Sequence, residues 1–137
     1  MDEYPHIDTV WKRDISGAIL QDQYARPEFA YLADNVWEGT EKVDGTNIRV
    51  MWDGISSSFG GKTDAAQIPA SLVKRLMEIF LPQISTFSEK FGADSVCLYG
   101  EGYGAKIQKG GGNYKSGGVD FVLFDVRIGN WWLRRDS

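Results

Sequence analysis

The chain of 137 residues has the length of a single domain. Its hydrophobic content of 42% and its charged content of 25% are ordinary for a globular protein and exclude a disordered tail, a coiled coil or a collagen-like chain. The net charge of −4 is unevenly distributed, since residues 1–102 carry nine basic against sixteen acidic side chains and residues 103–137 carry six against three; this disfavours indiscriminate nucleic-acid binding and still allows phosphate contact at the basic end.

The first half of the chain predicts an irregular segment, a hairpin and a helix. Residues 1–35 are predicted to be irregular, because two prolines interrupt them and their apolar residues show no sustained period. Alternation over residues 47–52 predicts a half-buried strand, and Asp53-Gly54 predicts a tight turn into residues 55–59. Apolar residues at helical spacing predict a helix over 70–81, with a kink or a stop at Pro82 and a stripe that continues to a C-cap at Gly92.

The second half predicts strands around a glycine-rich loop. Residues 95–99 are a predicted strand, residues 100–118 a loop, residues 119–128 a long strand and residues 131–133 a returning strand. Strands around one main helix without βαβ alternation indicate an α+β fold with antiparallel sheets, in a single domain over 1–137. The strand-forming WWLRR stretch arrives just before the last residues, so we expect an unfinished sheet edge that is open to self-association.

Targeting and metal-binding signals are not found in the sequence. No apolar run approaches the roughly 18 to 20 residues that span a bilayer, and the first ten residues lack the basic and apolar regions of a signal peptide. One cysteine, Cys97, cannot form an internal disulfide, and one histidine is too few for a Cys/His zinc site. We therefore expect a cytoplasmic protein with no membrane partner and no metal-ligating side chains.

The stretch from Glu41 to Asn47 is the most informative in the sequence. Lys42 stands between acidic residues immediately before a predicted strand, and Gly45 allows another backbone or a ligand to approach closely. Lysine can act as a covalent nucleophile when burial or cationic neighbours activate it. A solvated lysine in a turn is the alternative, and Lys-x-Asp-Gly alone arises by chance in roughly a few per cent of chains of this length.

Four segments together resemble the ATP-dependent RNA ligases of the bacteriophage nick-sealing type, within the covalent nucleotidyltransferase superfamily. EKVDGTN is similar to the nucleophile motif, FGGKTD to the phosphate-sensing motif, YGEGYGAKIQKGGGNY to the ribose-binding motif and FVLFDVRIGNWWLRR to the adenine-stacking motif. YPHIDTVWKRD and WEGTEK also resemble family openings, so the likeness covers nearly the whole chain. It implies an ATP-grasp-like nucleotidyltransferase (ligase) domain, incomplete at its C-terminus, that uses ATP and Mg²⁺ and seals nicked or single-stranded RNA ends.

The resemblance implies roles around the lysine. Lys42 would attack the α-phosphate of ATP, release pyrophosphate and form a lysyl–AMP phosphoramidate. Glu41 would help to seat the adenine. Asp44, Gly45 and Asn47 would complete the nucleotide site near the phosphate.

The resemblance also implies roles further along the chain. Lys62 stands where the family usually has arginine, which keeps a positive charge for the phosphates but loses the bidentate fork. Glu101 would accept hydrogen bonds from the ribose hydroxyls, Phe124 would stack on the adenine and Asp125 would shape the strand behind it. A phosphate-backbone contact is a weaker expectation for the lysines of the glycine-rich loop, Lys106, Lys109 and Lys115.

Two motifs that the family places downstream have no counterpart, because neither Glu-Gly-x-Val nor Lys-x-Lys occurs in the chain. We therefore expect either an N-terminal fragment of a longer ligase or a short protein that has lost catalysis or borrows it from a partner, with poor or no adenylylation by this chain alone. The main alternative is a catalytically inactive module that binds a nucleotide or an RNA end. A fragment of a DNA ligase or a capping guanylyltransferase, and chance motifs on an unrelated α+β domain, also stay open.

Overall fold

The structure is a computed structural model that describes residues 2–134 and residue 136. The described chain divides into two compact units, a smaller one of residues 5–41 and a larger one that combines residues 2–4 with the chain from residue 42 onward. We expected one domain that contains a distinct segment ending at residue 35. The structure groups residues 5–41 into a compact unit, and the single-domain interpretation stays a prediction.

The smaller unit is an antiparallel hairpin followed by a short helix, with β1, β2 and α1 at Trp11–Arg13, Ile19–Tyr24 and Pro27–Tyr31. The turn depends on Asp14, whose Oδ1 accepts hydrogen bonds from the backbone N–H groups of Ser16 at 2.8 Å and Ala18 at 2.9 Å. This differs from the irregular segment predicted for residues 1–35. The strands are short and largely exposed, and Asp22 interrupts the second one with a φ of +64°, so no buried alternation marks them in the sequence.

The larger unit is a five-stranded sheet with two helices between its second and third strands. Every pairing among the described strands is antiparallel, and the order across the sheet is β4-β3-β5-β6-β7. This confirms the predicted α+β class with one main helix. Its elements in chain order are β3 (Thr46–Trp52), β4 (Ser57–Gly60), α2 (Ala70–Phe80), α3 (Ile84–Phe91), β5 (Val96–Gly104), β6 (Val119–Ile128) and β7 (Trp131–Trp132).

The hydrophobic core lies between one face of the sheet and α2. Ile48, Val50 and Trp52 alternate along β3 and are fully buried, and they pack with Leu72 and Leu76 of the helix. The helix was predicted over 70–81, and its break into α2, a 3₁₀ turn at Leu81–Gln83 and α3 confirms the predicted effect of Pro82. Helix α3 ends at the predicted C-cap, Gly92, which has a φ of +53°.

Strand β5 continues into the predicted glycine-rich loop as far as Gly104, so the prediction that the loop begins at Gly100 is wrong. The glycines are needed because neighbours approach the strand too closely for a side chain. A Cβ on Gly100 would lie 2.2 Å from Cζ of Phe121, and one on Gly102 would lie 2.3 Å from Cδ2 of Leu72. Glycine lowers strand propensity, which hides this part of the strand from sequence patterns.

Strand β7 confirms the predicted returning strand but covers little of β6. It pairs with Arg127 and Ile128, and among the described residues no strand lies along the outer edge of residues 119–125. Val122 and Leu123 on that stretch are 38% and 46% exposed. Self-association through this edge stays a prediction. Within the described part of the chain, no helix has the length and apolar character needed to cross a membrane.

Candidate functional site

The candidate site lies on the face of the sheet opposite the core. Asn47 and Arg49 of β3 alternate with the core residues, and their cross-strand partners on β5 are Glu101 and Tyr99. Because directly paired residues share a face, these side chains stand on one surface. The same alternation that builds the core therefore gathers polar side chains behind it.

Lys42 comes close to Glu101 at the beginning of β3. Lys42 is exposed and Glu101 is half-buried. Burial raises the pKa of the Glu101 carboxyl, while the positive charge of Lys42 and a hydrogen bond from the backbone of Gly45 act in the opposite direction, and the negative charge of Asp44 adds to the rise. The structure therefore brings these four residues of two predicted motifs into one site.

Gly45 makes the close backbone approach that the sequence suggested. A Cβ at this position would lie 2.2 Å from the carbonyl oxygen of Gly102 and 3.0 Å from Cγ of Glu101. Such contacts exclude any side chain. Glycine at this position allows the chain that carries Lys42 to lie directly against the part of β5 that carries Glu101.

The glycine-rich loop returns to the same site. The backbone N–H of Gly110 donates to Oδ2 of Asp44 at 3.2 Å, and a Cβ on Gly110 would lie 2.8 Å from that oxygen. Lys106 and Lys109 of this loop are exposed, and Lys106 adopts a φ of +65°. Asp44 therefore links the loop before β3 to the loop after β5.

Lys115, the third lysine of the loop, is engaged in an ion pair. Its Nζ lies 2.8 Å from Oδ2 of Asp120, and Arg75 of α2 donates from Nε to Oδ1 of the same aspartate at 3.0 Å. Burial alone would raise the pKa of Asp120, but the hydrogen bonds from Lys115 and Arg75 lower it to about 2. This lysine therefore stabilises the start of β6 in the structure.

Asn47 presents an acceptor that no described residue satisfies. Its Oδ1 is buried without a hydrogen-bond partner among the described side chains and backbone groups. A buried polar atom without a partner is costly, so it calls for an explanation such as a functional role or a bound water or ion. Because Asn47 lies directly opposite Glu101, the two side chains offer neighbouring oxygen acceptors to a ligand with hydroxyl or amino donors.

Phe124 lies on this face because β6 contains a bulge. The register shifts between the pairs Tyr99–Asp125 and Gly100–Leu123, which leaves Phe124 as the extra residue. Tyr4 contacts its ring edge-on, with centroids 5.0 Å apart, and the Tyr4 hydroxyl donates to Asp125. Asp125 thus anchors an aromatic contact beside Phe124.

Tyr4 belongs to an aromatic cluster that sequence reasoning missed. Its ring lies 5.2 Å from that of Tyr99 and 5.9 Å from that of Trp132, measured between centroids. Tyr4 and Tyr99 come from parts of the chain distant from Phe124 and Trp132, which lie on the consecutive strands β6 and β7, so no local spacing relates the four rings. Phe124 was named from the resemblance, but nothing in the sequence pointed to its contact with Tyr4.

Lys62 follows β4 by two residues. Because β4 runs antiparallel to β3, with Gly60 opposite Arg49, Lys62 lies at the end of the sheet where β3 begins. Arg49, which sequence reasoning also missed, is fully buried and bonds to the residues around Lys62. Glu41, the other predicted adenine contact, is the exposed last residue of the smaller unit and lies outside regular secondary structure.

The chain matches no protein-family model and no curated protein. Function must therefore be argued from the residues themselves. A half-buried carboxylate, an unsatisfied amide oxygen and an aromatic ring share one sheet face, and the charge of the Lys42 amine acts on the carboxylate from the loop before β3. This set of groups is suited to a ligand that combines phosphate, hydroxyl groups and a flat ring.

Proposed function

We propose that the larger unit is the nucleotide-binding part of an ATP-dependent RNA ligase, with Lys42 as the residue that receives AMP. The observation that supports this proposal is that the positive charge of Lys42 acts on Glu101, which lies on the sheet face that also carries Phe124, although the three residues lie far apart in sequence. The groups are those that the resemblance to nick-sealing RNA ligases requires.

In the first step the amine of Lys42 attacks the α-phosphorus of ATP. A P–N bond forms, the bond from that phosphorus to the bridging oxygen breaks, pyrophosphate leaves with the electron pair, and the nitrogen loses a proton. In the second step an oxygen of an RNA 5′-phosphate attacks the same phosphorus, the P–N bond breaks and the amine regains a proton. In the third step an RNA 3′-hydroxyl attacks the phosphorus of the 5′-phosphate, a P–O bond forms, the bond from that phosphorus to the bridging oxygen breaks, AMP leaves with the electron pair and the hydroxyl loses its proton.

Glu101 and Phe124 would recognise the nucleoside in this proposal. An ionised carboxylate accepts hydrogen bonds only, which suits the two hydroxyls of a ribose, and the free Oδ1 of Asn47 adds a further acceptor. An aromatic face stacks on a purine with about 1–3 kcal/mol per base. The edge-on contact from Tyr4 holds the Phe124 ring at one side.

Mg²⁺ would neutralise charge on the pyrophosphate leaving group when it is bound. The described residues include no group of three or more His, Cys, Asp or Glu side chains that could hold a metal. The residues fit an ion that arrives on the triphosphate and keeps most of its water, as Mg²⁺ usually does. Lys62 offers a cationic side chain for the phosphates at this end of the sheet.

A binding module without chemistry is the second candidate. Lys42 is exposed, and the charged groups described beside it at the site are the carboxylates of Glu101 and Asp44. A nucleophilic lysine is usually activated by burial or by a second cation. This candidate keeps the roles of Glu101 and Phe124 in nucleotide binding and removes the covalent step.

Intact mass spectrometry with ATP and Mg²⁺ tests the proposal. We expect a gain of one AMP on Lys42, at low yield, and no gain in Lys42→Ala. Lys90→Ala on α3 is the matched control and should keep the label. ATP binding by calorimetry without any adduct, unchanged in Lys42→Ala, would favour the binding module. If the chain forms no adduct and binds no ATP, both candidates are rejected.

A further inference from the structure

The guanidinium of Arg49 is completely buried beneath the candidate site. Arg49 is the one charged residue in the fully buried set of the described chain, with no exposed area. Its Nε donates to the carbonyl oxygen of Gly61 at 2.8 Å, and its Nη2 donates to Oδ1 of Asp64 at 2.7 Å. Burying a charge is costly unless hydrogen bonds and an opposite charge compensate it, and both are present here.

These two bonds grip the loop that follows β4 on either side of Lys62. Gly61 precedes the lysine and Asp64 follows it by two residues. A loop fixed at both of these points keeps little freedom for the backbone of Lys62 between them. Arg49 therefore restrains Lys62, the residue that contacts the phosphates in the proposed function. Arg49 itself is not exposed to a ligand.

The glycines of the FGGKTD segment make room for this contact. A Cβ on Gly60 would lie 3.2 Å from Nη2 of Arg49, which is tighter than ordinary contact, and one on Gly61 would lie 2.8 Å from Cβ of Ala66. Larger residues would push the loop away from the guanidinium. The segment thus contains the glycines that leave space for Arg49, together with Lys62 and Asp64, the acidic partner of Arg49.

The ion pair has a marked asymmetry in exposure. The side chain of Arg49 is 0% exposed and that of Asp64 is 88% exposed. An ion pair with a solvated partner adds little net stability, whereas burial of the arginine costs free energy. The pair is better explained by what it does to the loop.

We propose that Arg49 and Asp64 are positioning residues that hold Lys62 at the phosphate end of the nucleotide site. This inference rests on the proposed function and adds to it how phosphate affinity is set. The ligand it concerns is a nucleoside triphosphate, and the part of the ligand affected is the phosphate chain. We call the pair of Arg49 and Asp64 the clamp. Its loss leaves the nucleoside contacts of Glu101 and Phe124 in place.

Asp64→Asn is the decisive variant, because an exposed side chain can be changed without opening a cavity in the core. Calorimetry on the full chain compares ATP with adenosine, which carries no phosphate. We expect Asp64→Asn to weaken ATP binding roughly five- to tenfold, as one loosened charge-assisted phosphate contact would, and to leave adenosine binding unchanged. Asp64→Glu should restore part of the ATP affinity, and Asp94→Asn, another exposed aspartate, is the matched control.

A double variant isolates the action through Lys62. If the clamp works by holding that lysine, Asp64→Asn should weaken ATP binding no further once Lys62→Ala is present. Hydrogen exchange provides a readout without nucleotide: the amides of residues 61–64 should exchange faster in Asp64→Asn than in Asp94→Asn.

Each result decides a separate claim. Equal losses for ATP and adenosine, additive effects with Lys62→Ala, or unchanged ATP affinity in Asp64→Asn would overturn the clamp while the proposed function stands. A wild-type chain that binds no ATP would remove the proposed function and the inference with it. Weaker ATP binding in Lys62→Ala would show that the phosphate contact exists even when the clamp does not control it.

Discussion

Glu101 is the residue at which stability and binding are in conflict. Burial raises the pKa of its carboxyl, so the folded protein binds a proton there more readily than the unfolded chain does. The contribution of this group is therefore favourable below the pKa of an ordinary glutamate and is lost as the pH rises through the raised value. At neutral pH the ionised Glu101 destabilises the fold, which a protein accepts where a ligand uses the charge.

Glu101→Gln separates the two effects. We expect the variant to be more stable at pH 7 by on the order of 0.5–1 kcal/mol, because the buried charge is gone, and to bind ATP about tenfold more weakly, because one strong acceptor is lost. Thermal melts and calorimetry measure the two changes. A variant that loses stability and retains full ATP affinity would show that Glu101 is structural.

At the same scale, the residues named from motifs and those named by the structure differ in kind. Lys42 and Glu101 were predicted because their immediate neighbours in the sequence form recognisable patterns. Arg49 and Tyr4 were not, because their significance comes from partners that are distant in the chain, Asp64 for the arginine and Phe124 for the tyrosine. A buried arginine in an alternating strand is a weak signal by itself, since the same letter on an exposed face is common.

Strand β5 owes its close packing to glycines, which makes it the element most sensitive to small substitutions. Gly100→Ala would place a methyl group 2.2 Å from the ring of Phe121 and 2.4 Å from the carbonyl oxygen of Val122. We expect the free energy of unfolding to fall by about 1–3 kcal/mol, since overpacking displaces both neighbours. Urea denaturation followed by tryptophan fluorescence measures this change.

Gly117→Ala is the matched control for that experiment. No atom lies within 4 Å of a Cβ at this position, and its φ is not in the left-handed region. This variant should be neutral or slightly stabilising. Similar losses in both variants would mean that glycine flexibility, rather than close approach at Gly100, matters in this part of the chain.

Element prediction succeeded where side chains alternate or repeat and failed where they do not. Strand β6 was predicted with its observed bounds, because apolar residues recur along its whole length, and α2 was predicted to within one residue. The second half of β5 was missed because glycine leaves no side chain for a pattern. The hairpin of the smaller unit was missed because its strands bury little. Packing against neighbours decides these cases, and packing is not local information.

Over the whole molecule, hydrogen-bonded carboxylates outweigh Glu101 in setting the response to acid. Hydrogen bonds hold the pKa of five aspartates below the ordinary value, with an arginine as the main donor for Asp2 and Asp64 and with both a lysine and an arginine for Asp120; the five are Asp2, Asp14, Asp53, Asp64 and Asp120. These groups contribute stability above the unfolded pKa near 3.8, and it is lost as the pH falls through their folded values. Between about pH 4 and about pH 2 the unfolded chain therefore binds more protons, and acid favours unfolding.

The free energy of unfolding should therefore fall between about pH 5 and about pH 2.5, with about 1.5 kcal/mol from Asp120 alone, whose pKa moves from 3.8 to about 2. Urea titrations at the two pH values measure the drop. Asp120→Asn should be less stable than the wild type at pH 5, because the bonds from Lys115 and Arg75 lose their charged acceptor, and its drop toward pH 2.5 should be smaller by a similar amount. A drop of the same size in both proteins would mean that Asp120 titrates as an ordinary carboxyl, and that the ties from β6 to α2 and to the glycine-rich loop do not depend on its charge.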